Sequence, residues 1–324
     1  MQVPNSLTGL VALDVALRRG LIARLLAMPL PETDIAPILC GLLEDAGVVE
    51  RRAGMVTLAA GPARDWAGRL EDLAARTSFV RQAAADLVLG LDDLCHDLPG
   101  FMARSETFRL FRYNRALATS PAALRDTRAW VSYVEALTRE EAPCLAPLIP
   151  LDGVSHLLEV GGNTGLFAEA LLARQPALCA TVLDLPAVCA IGEERSGRSK
   201  RLRFAPGDAR KDDWNALAGT FEAVLFKSML HDWCDEAARA MLETAVSSLP
   251  AGGRIIICER GAWQDETGRR TGTANIANVV FAPFYRAPQV YEGWLTELGC
   301  TVSRQSIDLD MMFHVLDARA GAAE

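Results

Sequence analysis

From Pro150 onward the chain switches repeatedly between two periodicities, and this constrains its fold more than any other feature. Apolar, strand-like runs at residues 156–160, 180–183, 202–205, 223–226 and 255–258 are separated by stretches of helical spacing, such as 235–249. Strands that alternate with helices pair in parallel, because each crossover carries the chain back over one face of the sheet. Two more strand-like runs, 301–309 and 311–316, have only Asp310 between them. A parallel crossover needs about a dozen residues, so these two pair as an antiparallel hairpin. The expectation is an α/β, Rossmann-like domain over 149–324 whose parallel sheet ends in a hairpin.

In an open parallel sheet, ligands bind beyond the carboxyl ends of the strands, where strand order reverses. The turn Gly161-Gly162-Asn163-Thr164-Gly165 follows the first strand and opens a helix, so it occupies that place. A dinucleotide fingerprint has glycines at positions one, three and six of the turn, but Asn163 and Leu166 stand at the last two. The turn admits close approach to the backbone but is poorly shaped for a pyrophosphate. A ligand with ribose and adenine but no phosphates fits it better. Asp184 ends the second strand about twenty residues on, where a carboxylate can take both ribose hydroxyls. Asp208, after Gly207, places a second carboxylate at the end of the third strand. Either acid alone reads as a solvated loop residue. The glycine turn and both carboxylates, on successive strands, read as a nucleoside site.

The fourth strand runs into FEAVLFKSMLHDWCDE. Lys227 ends it, in a chain with three lysines among 33 basic residues. Two readings stand for it: a side chain snorkelling to the surface, or a cation set to meet a ligand carboxylate. His231 follows at the carboxyl end of a central strand, the place for a base working near neutral pH. Asp235 suits the N-cap of the next helix.

The N-terminal part reads as short helices, with a break at Gly20 and a further helix starting at Pro31-Glu-Thr-Asp. Two β-prone pieces then flank Arg51-Arg52-Ala53-Gly54, which completes a winged-helix pattern. Acids slightly outnumber bases within 1–75, and the whole chain carries −8, so dimerisation or packing is expected there rather than DNA binding. Residues 76–148 read as a helical, aromatic-rich linking region. No apolar run reaches transmembrane length and no targeting leader follows Met1, which points to the cytoplasm and away from membranes. The eight cysteines include no CxxC pair. Neither a zinc site nor a disulfide framework is indicated, and buried free thiols are expected.

Taken together, LLEVGGNTG, TVLDLPAV, Gly207-Asp208 and FKSMLHDWCDEAARAMLETAVSSLPAGGRIIICE resemble the S-adenosylmethionine-dependent methyltransferases of the caffeic acid and hydroxyindole O-methyltransferase type. The likeness runs over nearly the whole chain. It implies a winged-helix dimerisation domain (1–75), a helical substrate region (76–148), a methyltransferase domain (149–324) and a homodimer joined through the N-terminal helices. It also implies S-adenosylmethionine as cofactor, no metal, and methylation of a small aromatic or polycyclic acceptor. Residue by residue, Gly161 would meet the methionine end, Asp184 the ribose, and Asp208 with Ala209 the adenine. Lys227 would join the same site, as would Glu159, Leu185 and Ser228. His231 stands at the position of the base. Met229 and the aromatics Trp130, Tyr133, Trp263, Phe281, Phe284 and Tyr285 would face the acceptor.

Asn163 replaces a third glycine and Glu159 replaces an aspartate. By this alignment the two acids that orient the histidine have no counterpart: Asn275 or Asn278 takes the first place and the second falls near Val290. His231 is therefore expected without an orienting acid, titrating near the ordinary ~6.5 of histidine, with Asp232 pointing elsewhere. That loss leaves room for C-, N- or S-methylation, or for hydroxylation, decarboxylation or cyclisation on the same fold; a DNA-binding regulator is the remoter alternative.

Overall fold

The computed structural model describes Pro4, residues 6–197, 199–211, Trp214, 216–262, 276–309 and 311–321. The chain divides into two compact units. The first runs to Phe111 and takes in 276–280; the second holds the rest.

In the first unit, helices Leu7–Arg18, Leu21–Ala27 and Pro37–Asp45 precede a small antiparallel sheet of β1 (Leu30–Pro31), β2 (Val49–Arg52) and β3 (Met55–Leu58), in the order β1-β3-β2. Gly20 separates the first two helices in a left-handed conformation that its missing Cβ permits. Pro31-Glu-Thr-Asp does not open the third helix. Leu30–Pro31 pairs with β3, Glu32–Asp34 forms a 3₁₀ turn, and the α-helix begins at Pro37. Proline suits that first helical position because its missing N–H would have no partner there. Leu13, Ile22, Leu43, Val56 and Trp66 close this unit's core. The long helix Leu70–His96 follows, and its Asp86 accepts bonds from Ser105 Oγ (2.6 Å) and the Thr107 N–H (2.8 Å), capping helix Glu106–Leu110.

The second unit opens with a 3₁₀ turn, Tyr113–Leu117, followed by helix Pro121–Leu145, capped by Ser120, and a seven-stranded sheet. Its strands are β4 (His156–Val160), β5 (Cys179–Asp184), β6 (Leu202–Pro206), β7 (Ala223–Lys227), β8 (Arg254–Arg260), β9 (Cys300–Asp308) and β10 (Met312–Ala320). The order is β6-β5-β4-β7-β8-β10-β9, parallel through β8, with β10 antiparallel to both β8 and β9. This is the parallel sheet with a terminal hairpin that the alternation implies. Both faces are covered, so neighbouring residues of a strand enter different cores. Leu157, Leu225 and Ile256 lie with Phe167 and Leu171 on one face; Leu158, Val224, Ile255 and Ile257 lie with Met241, Leu242 and Leu295 on the other. All residues of β7 and β8 are buried, and strand order reverses between β4 and its neighbours β5 and β7. The carboxyl ends of these strands therefore surround one cleft.

The cysteines depart from expectation. Cys40, Cys189, Cys258 and Cys300 are buried, but Cys95, Cys144 and Cys234 are exposed.

Candidate active site

The glycine turn leaves β4 with Gly161 at φ 67° and Asn163 at φ 55°. Asparagine is among the few side chains that tolerate this region, which explains why a third glycine is dispensable there. A Cβ on Gly161 would come within 2.9 Å of Met229 Cγ, so the turn and the loop after β7 meet where only glycine fits. Asp184, at the end of β5, accepts the Asn163 N–H (2.7 Å) and the Leu185 N–H (2.7 Å). Burial pushes its carboxyl up to about 6 against those two bonds. It thus ties the glycine turn to the next strand and stays at the rim.

Asp208 is engaged differently from expectation. Both its oxygens are held by Arg210, Nε at 2.8 Å and Nη2 at 2.7 Å, and this keeps its carboxyl below the usual range. The Arg210 guanidinium lies 4.3 Å from the centre of the Trp233 ring. The Ala209 carbonyl accepts from Trp214 Nε1 at 2.8 Å.

Lys227 does not snorkel. It is buried and paired with Glu141 of helix Pro121–Leu145, which also binds Arg260. Arg260 in turn donates to Ser228 Oγ (3.0 Å), and Ser228 sits at φ 51°, a strained conformation held by this network. The same helix brings Glu135 to the glycine turn, where it accepts from Thr164 Oγ1 at 2.5 Å. A cavity of about 50 Å³ remains between helix and turn, lined by Glu159, Gly161, Thr138 and Lys227 among others.

His231 is buried in the 3₁₀ turn Leu230–Asp232, and here the structure corrects the sequence reading. Its Nδ1 lies 2.7 Å from Glu259 Oε2, while Glu259 Oε1 accepts the backbone N–H groups of Met229 (2.8 Å) and Leu230 (2.7 Å). One carboxylate therefore fixes the ring and the backbone that carries it. Those partners outweigh burial and hold the Glu259 carboxyl below its ordinary range. An ionised Glu259 requires a proton on Nδ1, which leaves Nε2 as the lone-pair nitrogen of the neutral ring. Asp232 also faces the ring, with Oδ1 3.5 Å from Nε2, and its Oδ2 accepts from Tyr113 Oη at 2.7 Å. Burial draws the imidazole toward neutrality, but Glu259 and Asp232 prevail and raise its pKa. Of the positions first assigned to the orienting acids, Asn278 is a buried residue of the first unit and Val290 is half-buried in helix Pro288–Glu297. Asn275 lies outside the described residues.

Aromatic rings gather around the histidine. Tyr285 meets it edge-on at 5.1 Å, and Tyr113 touches both Trp233 (5.5 Å) and Trp130 (5.4 Å). Tyr133, buried one turn beyond Trp130, shares its helix, and half-buried Phe281 and Phe284 immediately precede Tyr285. Trp263 falls outside the described residues. Arg286 straps the loop: it donates to the carbonyls of Leu230 (3.0 Å) and Trp233 (2.5 Å) and to Asp235 Oδ1 (2.7 Å). Asp235 is therefore the first helical residue rather than the cap; Cys234 holds the N-cap position. Sequence reasoning placed Arg286 and Tyr113 among the residues around the pocket without their partners, and it missed Glu141 and above all Glu259. Only Glu259 carried a local signal, an acid at the carboxyl end of the strand beside β7.

A family profile described as an O-methyltransferase domain matches residues 107–299. The chain belongs to that family. A 3-hydroxy-5-methyl-1-naphthoate 3-O-methyltransferase from Streptomyces sahachiroi is 32% identical over 49% of this chain and 47% of its own length. An L-tyrosine C(3)-methyltransferase from Streptomyces lavendulae is 27% identical over 52% of this chain and 46% of its own. This O-methyltransferase-family chain spans about half the length of the curated relatives it matches. Its fold is that of human N-acetylserotonin methyltransferase, solved in complex with SAM (TM-score 0.75, 18% identity, 98% of this chain and 95% of that one). The apo S-adenosylmethionine-dependent methyltransferase SibL gives 0.67 at 22% identity, covering 96% of each chain. No helix among the described residues is long and apolar enough to cross a membrane.

Proposed function

We propose that the protein is an S-adenosylmethionine-dependent methyltransferase that methylates an oxygen of a small aromatic or polycyclic acceptor, with His231 as base. The observation that carries this reading is the clamp of Glu259 on His231 and on the loop N–H groups, set beside the glycine turn. The residues present suit the cofactor. Asp184 offers a carboxylate for ribose hydroxyls, and buried Glu159, packed against the glycine turn, has an oxygen with no hydrogen-bond partner among the described residues. Gly161, Asp184, Leu185, Asp208, Ala209, Lys227 and Ser228 would hold it. The sulfonium supplies a methyl group already activated for transfer. What falls to the protein is alignment of the acceptor, which supplies up to ~7–11 kcal/mol, and removal of its proton. Met229, Tyr285, Trp130 and Tyr133, with Phe281 and Phe284, form the acceptor wall in this reading, and flat apolar rings suit it. A non-methylating reaction would draw its support from an unoriented histidine, and Glu259 removes that support. Incubation with methyl-labelled cofactor and candidate phenols tests the proposal: label should appear on the acceptor oxygen, and cofactor binding without transfer to any acceptor would count against it.

Arg286 is a positioning residue in this scheme. Arg286→Lys keeps the charge but loses the planar fork that reaches two carbonyls and a carboxylate at once. Turnover is expected to drop roughly tenfold to a hundredfold, on the scale of a misplaced catalytic group. Cofactor affinity should hold, and the rising limb of the pH profile should move down as His231 slips from Glu259. Unchanged turnover would show that the loop holds itself.

We assign the first unit a winged-helix role in dimerisation. Its helices leave Leu7, Val11 and Ile38 exposed, Ile38 by 79%, and apolar side chains of this kind are covered in a partner interface. Light scattering at micromolar concentration should give a dimer, and a monomer would refute the assignment.

A further inference from the structure

Glu159 is 1% exposed, and its Oε2 has no hydrogen-bond partner among the described residues. Such an oxygen, if charged, is costly unless something cationic meets it. The candidates within the protein are already committed. Lys227 is paired with Glu141, and Arg260 with Glu141 and Ser228. The Ala168 N–H serves Glu159, while Asp184 on β5 adds negative charge nearby. Glu135, from the covering helix, adds more around the same cavity. The carboxyl also packs against the turn, since a Cβ on Gly162 would lie 2.8 Å from Oε2. Glu159 thus reaches into the cavity behind the glycine turn, enclosed, with Oε2 left without a hydrogen bond among the described residues.

We propose that Glu159 is uncharged before binding and gives up its proton as the α-ammonium of the cofactor's methionyl end enters this cavity. The inference builds on the cofactor reading above. In the step the carboxylic O–H bond breaks, the proton passes to bulk water, and the carboxylate accepts hydrogen bonds from the ammonium; nothing is oxidised or reduced. Burial pushes the Glu159 carboxyl up to about 8, with Lys227 and the Ala168 N–H opposing. The group is therefore protonated at neutral pH, and pairing with a cation lowers its pKa. Affinity should climb as pH rises toward 8, because each proton Glu159 has already lost is one that binding need not displace.

The test is titration calorimetry at pH 7 in two buffers of different ionisation enthalpy, using S-adenosylhomocysteine, which keeps the ammonium but lacks the sulfonium charge. Glu159→Gln is the control: it mimics the uncharged carboxyl in shape, and a melting curve confirms that it folds. Asp184 and His231 contribute alike to both proteins, and at pH 7 the free ligand amine is already mostly protonated, so the difference reports chiefly on Glu159. At pH 7 the wild type should release most of a proton more than Glu159→Gln does, as linkage requires. Equal proton exchange in the two proteins would overturn the inference while leaving the cofactor reading intact. Release with S-adenosylmethionine but not with the homocysteine product would also overturn it, assigning the carboxylate to the sulfonium instead. No binding of either ligand would overturn the cofactor reading itself.

Discussion

His231→Ala is expected to turn over ~10²-fold or more slowly than the wild type, with cofactor affinity unchanged, because the base that receives the acceptor proton is gone. The pH profile gives a sharper signature. A base works when neutral, and Glu259 with Asp232 raises the His231 pKa against the pull of burial. The rising limb of kcat/KM should therefore lie above the ordinary ~6.5 of histidine. In Glu259→Gln the strongest of those carboxylate effects is lost while burial remains, so the limb should move to lower pH. Turnover should fall as well: the amide oxygen can still accept the Met229 and Leu230 N–H groups, but the amide NH2 facing Nδ1 donates to it and shifts the ring proton to Nε2, the atom that must be free to act as base. Rates measured against pH in the three proteins decide the matter. A loss under tenfold in His231→Ala would mean that the acceptor arrives already nucleophilic, as an amine, a thiolate or an electron-rich carbon. A limb that Glu259→Gln leaves in place would mean that the clamp is structural only.

The second large effect falls on Asp184. Removing a carboxylate that takes two ribose hydroxyls costs about 3 kcal/mol, at ~1.5 kcal/mol or more for each hydrogen bond to a charged group, or roughly a hundredfold in affinity. Titration calorimetry of S-adenosylhomocysteine with Asp184→Ala should show that loss. The carboxyl sits at about 6 because of burial, and the form that accepts both hydroxyls is the ionised one. Wild-type affinity should thus fall as pH drops through about 6, and Asp184→Ala should lack that lower limb while keeping any dependence near 8. The Asn163 and Leu185 N–H groups also lose their acceptor in Asp184→Ala, so melting curves must accompany the titrations. Unchanged affinity would take Asp184 out of the cofactor site.

The alternation of apolar runs with helical spacing after Pro150 determined a parallel sheet, and the single residue between the last two runs determined its antiparallel end. Both are local properties, since side-chain period and crossover length act over a few residues. The positions of the glycine turn, Asp184, Lys227 and His231 were legible for the same reason: each lies at or just past a strand end that the periodicity marks. Lys227's partner was not legible, because Glu141 lies 86 residues earlier on a helix whose docking no local pattern records. Arg210's hold on Asp208 was missed for a different reason: a surface arginine two residues on has many alternatives until Trp233 lies beneath it. Glu259 shows most clearly what only the tertiary structure decided. It lies 28 residues beyond His231, and nothing in the intervening sequence fixes their separation in space. Strand order does: β8 pairs with β7 in a register that sets Lys227 opposite Cys258, so the next residue, Glu259, emerges beneath the loop that carries His231. A linear alignment assigned the orienting acids to later positions, whereas hydrogen bonding between adjacent strands brought the carboxylate to the imidazole.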